Sequence, residues 1–349
     1  MTEPVLTQRA LNRALLARQL LLERVDLPIP EALTRIAGIQ NQYAPNAYLR
    51  LWSCLERFRR ADLTSAYEDG SVVQGTLMRG TIHTVAAADY HPMLKAVARS
   101  QREWANRATG RKGDVDHESH VRRVRAALAD GPMRRPDLMR LLEGAPPSIR
   151  YAIDTGAEIL RLPPSGTWAR RRADRCGLAD DLIDHVEIDE ASALAWLVDR
   201  YLASFGPASP GDIGSFMGIG IGQVREIVET LPLRRVAADD GTDLLDVEGA
   251  PLPDADVPAP VRFLPTWDAI LLVHARRTQV LPEEYRPLVF HTKMPPSYPT
   301  VLVDGQVAAT WRWEEDHIEV SPFRKLTADE RDQVDAEAAR LGSFHAPEA

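Results

Sequence analysis

Two segments of the chain read alike. DGPMRRPDLMRLL and FGPASPGDIGSFM each place Gly-Pro, four further residues, then Asp and an aliphatic residue: Gly131, Pro132, Asp137 and Leu138 in one, Gly206, Pro207, Asp212 and Ile213 in the other. Each is preceded by an amphipathic helical pattern, VRRVRAALA or ALAWLVDRYLA, and followed by another, SIRYAIDTGAEI or GIGQVREIVETL. Each then runs into a strand, a glycine turn and a strand, EILRLPPSGTWARRR or LRRVAADDGTDLLDV. Helix, Gly-Pro turn, two helices and a wing is the order of a winged helix, and its recurrence predicts tandem modules. A coincidence between two Gly-Pro turns is the alternative reading.

The N-terminal part predicts a third module. TQRALNRALLARQLLL offers Thr7 as a helix cap and puts Leu11, Leu15 and Leu22 on one stripe, flanked by Leu16 and Leu20. PEALTRIAGIQ repeats the design with Pro30 near its start, and a further helix is expected after Asn46. SVVQGTLMRGTIHTVAA switches to alternation, punctuated by Gly75 and Gly80, as a β-hairpin would. GAPLPDADVPAP reads as a linker, and TVLVDGQVAATWRW, turning at Asp304-Gly305, begins a set of strands closed by the helix TADERDQVDAEAARL. The expected fold class is therefore α+β: three tandem winged-helix domains over 1–115, 116–185 and 186–250, followed by a small β-rich α+β C-terminal domain over 251–349.

Composition narrows the function. With 44% hydrophobic residues in 349, the chain can bury real cores. No apolar run approaches the roughly 20 residues of a membrane span, and no secretion signal opens the sequence, so a cytoplasmic protein without a membrane partner is expected. Only Cys54 and Cys176 are present, which supports neither a disulfide framework nor a thiolate zinc site. His117 and His120 in DHESH could share a helix face, but a solvated polar loop is the simpler reading, and no metal or other cofactor is expected. The net charge of -8 hides an asymmetry: residues 1–180 carry about +8 and the remainder about -16. A basic half suits a polyanion, although a plain surface bias gives the same count.

Familiar catalytic sets are missing, including a phosphate-cradling loop, a nucleophile elbow and a His-Glu-x-x-His zinc motif. The glycine run MGIGIG (217–222) follows no predicted strand and falls between helices, which argues against dinucleotide binding. The unusual stretch is IQNQYAPNAYLRLW. On a helix Gln40 and Gln42 would point about 200° apart, whereas in extended backbone they would share a side and could face one cleft. Gly38 and Pro45 make a break there plausible; the competing reading is a helix end whose amides satisfy free carbonyls. In TLMRGTIHTV, alternation puts Arg79, Thr81 and His83 on one face, fit for phosphate contact or simply exposed. Arg170, Arg171 and Arg172 in the second wing suit phosphates more than base edges.

Together, GIQNQYAPNAYLRLW, GTLMRGTIHTV, the two Gly-Pro segments and FLPTWDAILLVHARRTQVL resemble, in order and over nearly the whole chain, the AlkZ-like bacterial DNA glycosylases, relatives of the YcaQ-type enzymes. The resemblance implies tandem winged helices with a β-rich C-terminal domain, and excision of alkylated bases or unhooking of interstrand crosslinks. It implies a partner in double-stranded DNA carrying such bases, in repair or self-resistance, with Gln40 and Gln42 as the Gln-x-Gln catalytic pair. Asn41 departs from the apolar middle residue usual in that motif. Arg79, Thr81 and His83 would then steady the duplex, and the 170–172 arginines would hold phosphates.

An amide has no usable pKa and cannot act as a strong base, so such a pair suits only a leaving group that is already good, such as cationic N7-alkylguanine. Of the four lysines, Lys95, Lys112, Lys293 and Lys325, none lies in a matched motif, so a Schiff-base lyase step is not expected. The rival readings are a non-enzymatic winged-helix DNA-binding regulator and, less specifically, a protein-binding scaffold. A monomer is the default expectation, because three modules already form a cleft.

Overall fold

Thr7 and the leucines that follow it start the chain as those residues dictate. The computed structural model describes residues 5–110, 116–272, 278–290 and 297–346. A two-residue strand β1 (Val5–Leu6) leads into helix α1 (Gln8–Arg18), whose first turn is capped by the Thr7 hydroxyl accepting from Ala10 N–H at 3.1 Å. The helix stops at Arg18, so Leu20 and Leu22 do not continue its stripe; Leu20 takes φ 55° and turns into the core.

Three stretches then repeat one order: helix, short strand, two helices, two strands. The first comprises α2 (Ile29–Arg35), β2 (Ile39–Gln40), α3 (Pro45–Cys54), α4 (Arg60–Glu68), β3 (Val72–Thr76) and β4 (Ile82–Ala86). The long α5 (Ala87–Ala108) follows. The second comprises α6 (His117–Ala129), β5 (Met133–Arg134), α7 (Arg135–Arg140), α8 (Pro147–Gly156), β6 (Ile159–Arg161) and β7 (Arg175–Leu178). The third has α9 (Glu190–Phe205), a single bridging residue Ala208, α10 (Pro210–Met217), α11 (Ile221–Val228), β8 (Leu233–Ala238) and β9 (Asp243–Val247). In every unit the short strand pairs with the last: β2 with β4, β5 with β7, Ala208 with Leu245.

This corrects the expected start of the first unit. Its leading helix is α2, and the following helix begins at Pro45 rather than after Asn46. β1 instead pairs in parallel with β8 of the third unit. The repeat also becomes visible in the first unit once aligned this way. Gly38, Gly131 and Gly206 each precede the short strand, and Pro45, Pro136 and Pro210 each open the next helix.

The first two units share one six-stranded sheet, in the order β2-β4-β3-β6-β7-β5. They join where β3 and β6 pair antiparallel, Gln74 opposite Arg161 and Gly75 opposite Leu160. Gly75 is required there, because a Cβ would lie 2.5 Å from the buried Tyr90 ring. A buried carboxylate reinforces the join: Asp154 accepts from Thr76 Oγ1 at 2.9 Å and Arg161 Nη2 at 2.7 Å, and is paired with Arg135. Although burial raises its pKa, the two guanidinium groups outweigh that and hold it at about 2.

The C-terminal part is an antiparallel sheet of β10 (Arg262–Leu264), β11 (Thr300–Val303), β12 (Gln306–Glu314) and β13 (His317–Pro322). Short helices α12 (Ala269–Leu272) and α13 (Arg286–Val289) intervene, and α14 (Ala328–His345) covers the end. The β11–β12 turn is Asp304–Gly305, both at positive φ. The 251–260 stretch expected as a linker is pinned to α1: Arg13 Nε donates to Val257 O at 2.6 Å and Arg18 Nη2 to Pro251 O at 3.1 Å. Among the described residues no helix is long and apolar enough to cross a membrane.

Candidate active site

Helix α2 ends because Ala37 and Gly38 both take left-handed backbone, φ 57° and 77°. A side chain at Gly38 would meet Val85 Cγ1 at 2.7 Å, so only glycine lets the chain swing directly into β2 beside β4. Ile39 then faces Thr84 and Gln40 faces His83 across the ladder. With extended backbone here, Gln40 and Gln42 turn to one side and Asn41 to the other. The helix-end reading is thereby set aside, since neither glutamine bonds a helix carbonyl.

Gln40 Oε1 accepts from Arg79 Nη2 at 2.6 Å, and Gln42 Oε1 accepts from the Ile82 backbone N–H at 3.0 Å. Both partners are pure donors, which fixes each amide with its oxygen inward and its NH2 group outward. Among the described residues neither Nε2 has a protein partner. Gln40 is 7% exposed and Gln42 is exposed, so the outward groups step from a recess to the surface.

The hairpin does not present the expected polar row. Its tip is a single 3-10 turn, Met78–Gly80, with Arg79 at φ 57°, and this breaks the strand alternation. The Arg79 guanidinium folds inward, donating also to Phe216 O at 2.7 Å and lying 5.8 Å from the Phe216 ring. No carboxylate pairs with it among the described residues; burial lowers its pKa to about 10, and it stays cationic at neutral pH. His83 is 2% exposed, with Nδ1 3.0 Å from Thr81 O. Burial, then the Arg79 charge, pushes its pKa down to about 3, so it is neutral and out of reach of a phosphate. Thr81 donates its hydroxyl back to Met78 O at 3.0 Å. Arg79 and His83 are thus the backing of Gln40 and not a phosphate-facing row.

The structure also accounts for Asn41. Its Nδ2 donates to Gln74 Oε1 at 3.2 Å and Thr84 Oγ1 at 3.1 Å, and Tyr67 OH is 2.7 Å from the same Thr84 oxygen. Gln74 Nε2 in turn donates to Gly166 O at 3.0 Å. A buried polar chain therefore runs from the Gln-x-Gln stretch into the 162–174 loop of the second unit. That loop is longer than the glycine turn expected there, since the strand after β6 begins only at Arg175.

Arg170, Arg171 and Arg172 sit exposed on this loop. Arg171 Nη1 donates to Tyr43 OH at 2.5 Å and packs over the Tyr43 and Trp168 rings at 5.7 and 5.9 Å. Tyr43 follows Gln42 directly, so the arginines border the glutamine pair. With Arg134 and Arg175 they line a concavity of about 440 Å³ whose one acidic member, Asp174, lies 3.5 Å from Arg172 Nε.

Sequence reading missed a second concavity, of about 620 Å³, on the other side of Arg79. Trp104 and Tyr151, 53% and 59% exposed, meet edge to face at its wall with ring centres 5.8 Å apart. The MGIGIG run lines it too, with Gly218 against Arg79, as a helix terminus and not a nucleotide loop. Behind α3, the FLPTWD segment locks the C-terminal part in place: Asp268 pairs with Arg50 at 2.9 Å, and Thr266 O accepts from Asn46 Nδ2 at 3.0 Å. Residues 273–277 of that motif, and Lys112 and Lys293, lie outside the described residues.

Fold and site together define an α+β protein of repeated units with an amide pair, Gln40 in a recess and Gln42 at the surface, flanked by arginines. The chain belongs to the AlkZ-like DNA glycosylase family, whose model matches residues 33–344. Among solved structures it is similar to Streptomyces sahachiroi DNA glycosylase AlkZ, with a TM-score of 0.82, 18% identity, and coverage of 97% of this chain and 98% of that one. No curated protein sequence matches the chain significantly.

Proposed function

We propose that the three repeated units are winged-helix modules on double-stranded DNA, and that the chain is a monofunctional glycosylase. It hydrolyses the N-glycosidic bond of cationic, N7-alkylguanine-type bases. The observation that carries this is the polarity of the amide pair: both carbonyl oxygens are engaged, both NH2 groups face out, and among the described residues no carboxylate bonds to either glutamine. The nearest imidazole, His83, is neutral and buried. Such a site positions water and hydrogen-bonds a departing base, but cannot take a proton from water at neutral pH. It works where the glycosidic bond is already weak, as when the base carries a positive charge that vanishes on departure.

In this reading Gln42, the more exposed of the two, holds the water, and Gln40 donates toward the departing base. Water adds to C1′, its proton passes to solvent, the base leaves with the bonding pair, and an abasic site is left. Arg170, Arg171 and Arg172 hold phosphates beside the lesion. The open setting of Gln42 suits a bulky or crosslinked base that does not rotate fully out of the duplex.

Duplex DNA containing N7-methylguanine or an N7-linked crosslink, scored for alkali-labile abasic sites, tests this. Base release by the native chain and its loss in a Gln40→Ala, Gln42→Ala double variant are expected. Activity that survives the double variant overturns the assigned roles, and sequence-specific binding without base release supports the regulator instead.

A further inference from the structure

His91, on α5, is 3% exposed, yet neither ring nitrogen has a hydrogen-bond partner. A buried imidazole with both nitrogens unsatisfied is costly and calls for an explanation. Its surroundings are those of a ligand set. Glu158 Oε2 lies 3.9 Å from His91 Nε2, too long for a hydrogen bond, and the His185 ring faces it edge-on with centres 4.7 Å apart. One donor atom each from His91, Glu158, Asp180 and His185 lies within 4.8 Å of the others. Asp180 is held by Arg125, whose Nη1 also donates to Ala157 O at 3.1 Å, and that pairing uses only one carboxylate oxygen.

We propose that His91, Glu158, Asp180 and His185 bind one divalent transition-metal ion, with Zn²⁺ as the best match. Two imidazoles and two carboxylates suit zinc, and the two carboxylates neutralise its charge. Metal–ligand lengths of about 2.0–2.2 Å put tetrahedral donors roughly 3.4 Å apart, so the set closes by about an ångström or more. The exposed Asp180 and His185 side chains can supply that movement around a fixed His91. Arg125 is the outer partner that orients a ligating carboxylate.

Four protein ligands leave no open position, which makes this a structural site. It ties α5 to the end of α8 and to the connection leading into α9, along the wall of a cavity of about 700 Å³. No spaced motif announces it, because the four ligands come from three separate segments, with only Asp180 and His185 sharing one. His120 is not among them, its Nδ1 lying 2.8 Å from Asp116 O.

The test uses tag-free full-length protein, stripped with chelator and titrated with Zn²⁺ by calorimetry, with bound metal counted by mass spectrometry. One equivalent of Zn²⁺, a raised melting temperature, and the visible absorption of a tetrahedral ion on Co²⁺ substitution are expected. His185→Ala, an exposed substitution that spares the core, should weaken binding at least tenfold, and Arg125→Ala about tenfold. A His91→Ala, His185→Ala double variant should lose the stoichiometric ion. Substoichiometric binding by the native chain, or one equivalent bound with unchanged affinity in His185→Ala, overturns the proposal. Neither readout depends on base excision, so failure here leaves the glycosylase reading standing, and the reverse holds too.

Discussion

Arg79 is a partly buried cation that pairs with no carboxylate among the described residues, and replacing it with methionine separates function from stability. Below a pH of about 10 the folded state bears the cost of keeping this guanidinium charged, because burial lowers its pKa to about 10 from 12.5. That difference corresponds to about 3 kcal/mol, which Arg79→Met recovers. Against this, Gln40 Oε1 and Phe216 O each lose a donor, at about 1–3 kcal/mol apiece, and Gln40 can offset part of its share by rotating toward solvent. The two sides nearly cancel, so the melting temperature should move by no more than about 4 °C. The rate should not be spared. With Gln40 free to rotate, its NH2 group is no longer aimed, and losing one oriented donor typically costs about 100-fold, near 2.7 kcal/mol of transition-state stabilisation. Single-turnover release of N7-methylguanine from duplex DNA, beside a thermal melt, measures both. Arg79→Lys is the companion, since an ammonium keeps the charge but cannot fork between two acceptors, and it should also be slow. A native rate in Arg79→Met, or a rate that falls only as far as the folded fraction falls, refutes the argument.

Three further outcomes follow from the same contacts. Asn41→Leu supplies an apolar middle residue but strips Gln74 Oε1 of its donor and leaves Thr84 Oγ1 with Tyr67 OH alone, and should cost about 1–3 kcal/mol in urea unfolding. Removing Arg170, Arg171 and Arg172 together should weaken binding to undamaged duplex and flatten the log affinity against log salt slope by up to about 3, read by fluorescence anisotropy. Acid should act in two windows. The depressed pKa of His83 makes stability present above about 6.5 and lost as pH falls toward about 3, by at most about 5 kcal/mol, while the Asp154 contribution of about 2 kcal/mol is lost only as pH falls from about 3.8 through about 2. Melts of His83→Gln between pH 7 and 4 should show the first window reduced, with the part due to the similarly depressed His345 and His91 remaining, and an unchanged pH dependence would contradict the neutral, buried ring.

Local signals in the sequence were reliable where one segment settles its own structure. The Thr7 cap and the Asp304–Gly305 turn depend on neighbours a few residues away, and both form as read. What failed needed partners far along the chain. Alternation in TLMRGTIHTV put Arg79 and His83 on an exposed face, but a left-handed Arg79 and the Phe216 carbonyl from a distant helix draw the guanidinium inward. A glycine turn is the local expectation for the second wing, whereas Ser165 Oγ, accepting from Asp174 N at 2.7 Å, holds a longer loop closed. Asn41 had no explanation in sequence, because its partners Gln74 and Thr84 meet it only once β2, β3 and β4 pair. The amides themselves were legible as unusual, but not their polarity, which is set by Arg79 and Ile82.

The repeat makes a further point about why the amide pair arose where it did. Between the glycine that frees the short strand and the proline that opens the next helix, the first unit has residues 39–44, the second 132–135 and the third 207–209. The longer span gives the first unit an extended stretch in which alternate side chains reach the same side, as the shorter turns do not. The stretch is nevertheless not self-sufficient. Gln40 is aimed by an arginine anchored on the third unit through Phe216 O, Asn41 is anchored on the second through Gln74 and Gly166, and α3 behind them is braced by Asp268 of the C-terminal part. Substitutions at those distant anchors, Asp268 above all, should therefore change how the pair is held without touching DNA, and the first unit on its own carries the glutamines and their direct partners, Arg79 and Ile82, but not the outside groups that anchor Arg79 and Gln74.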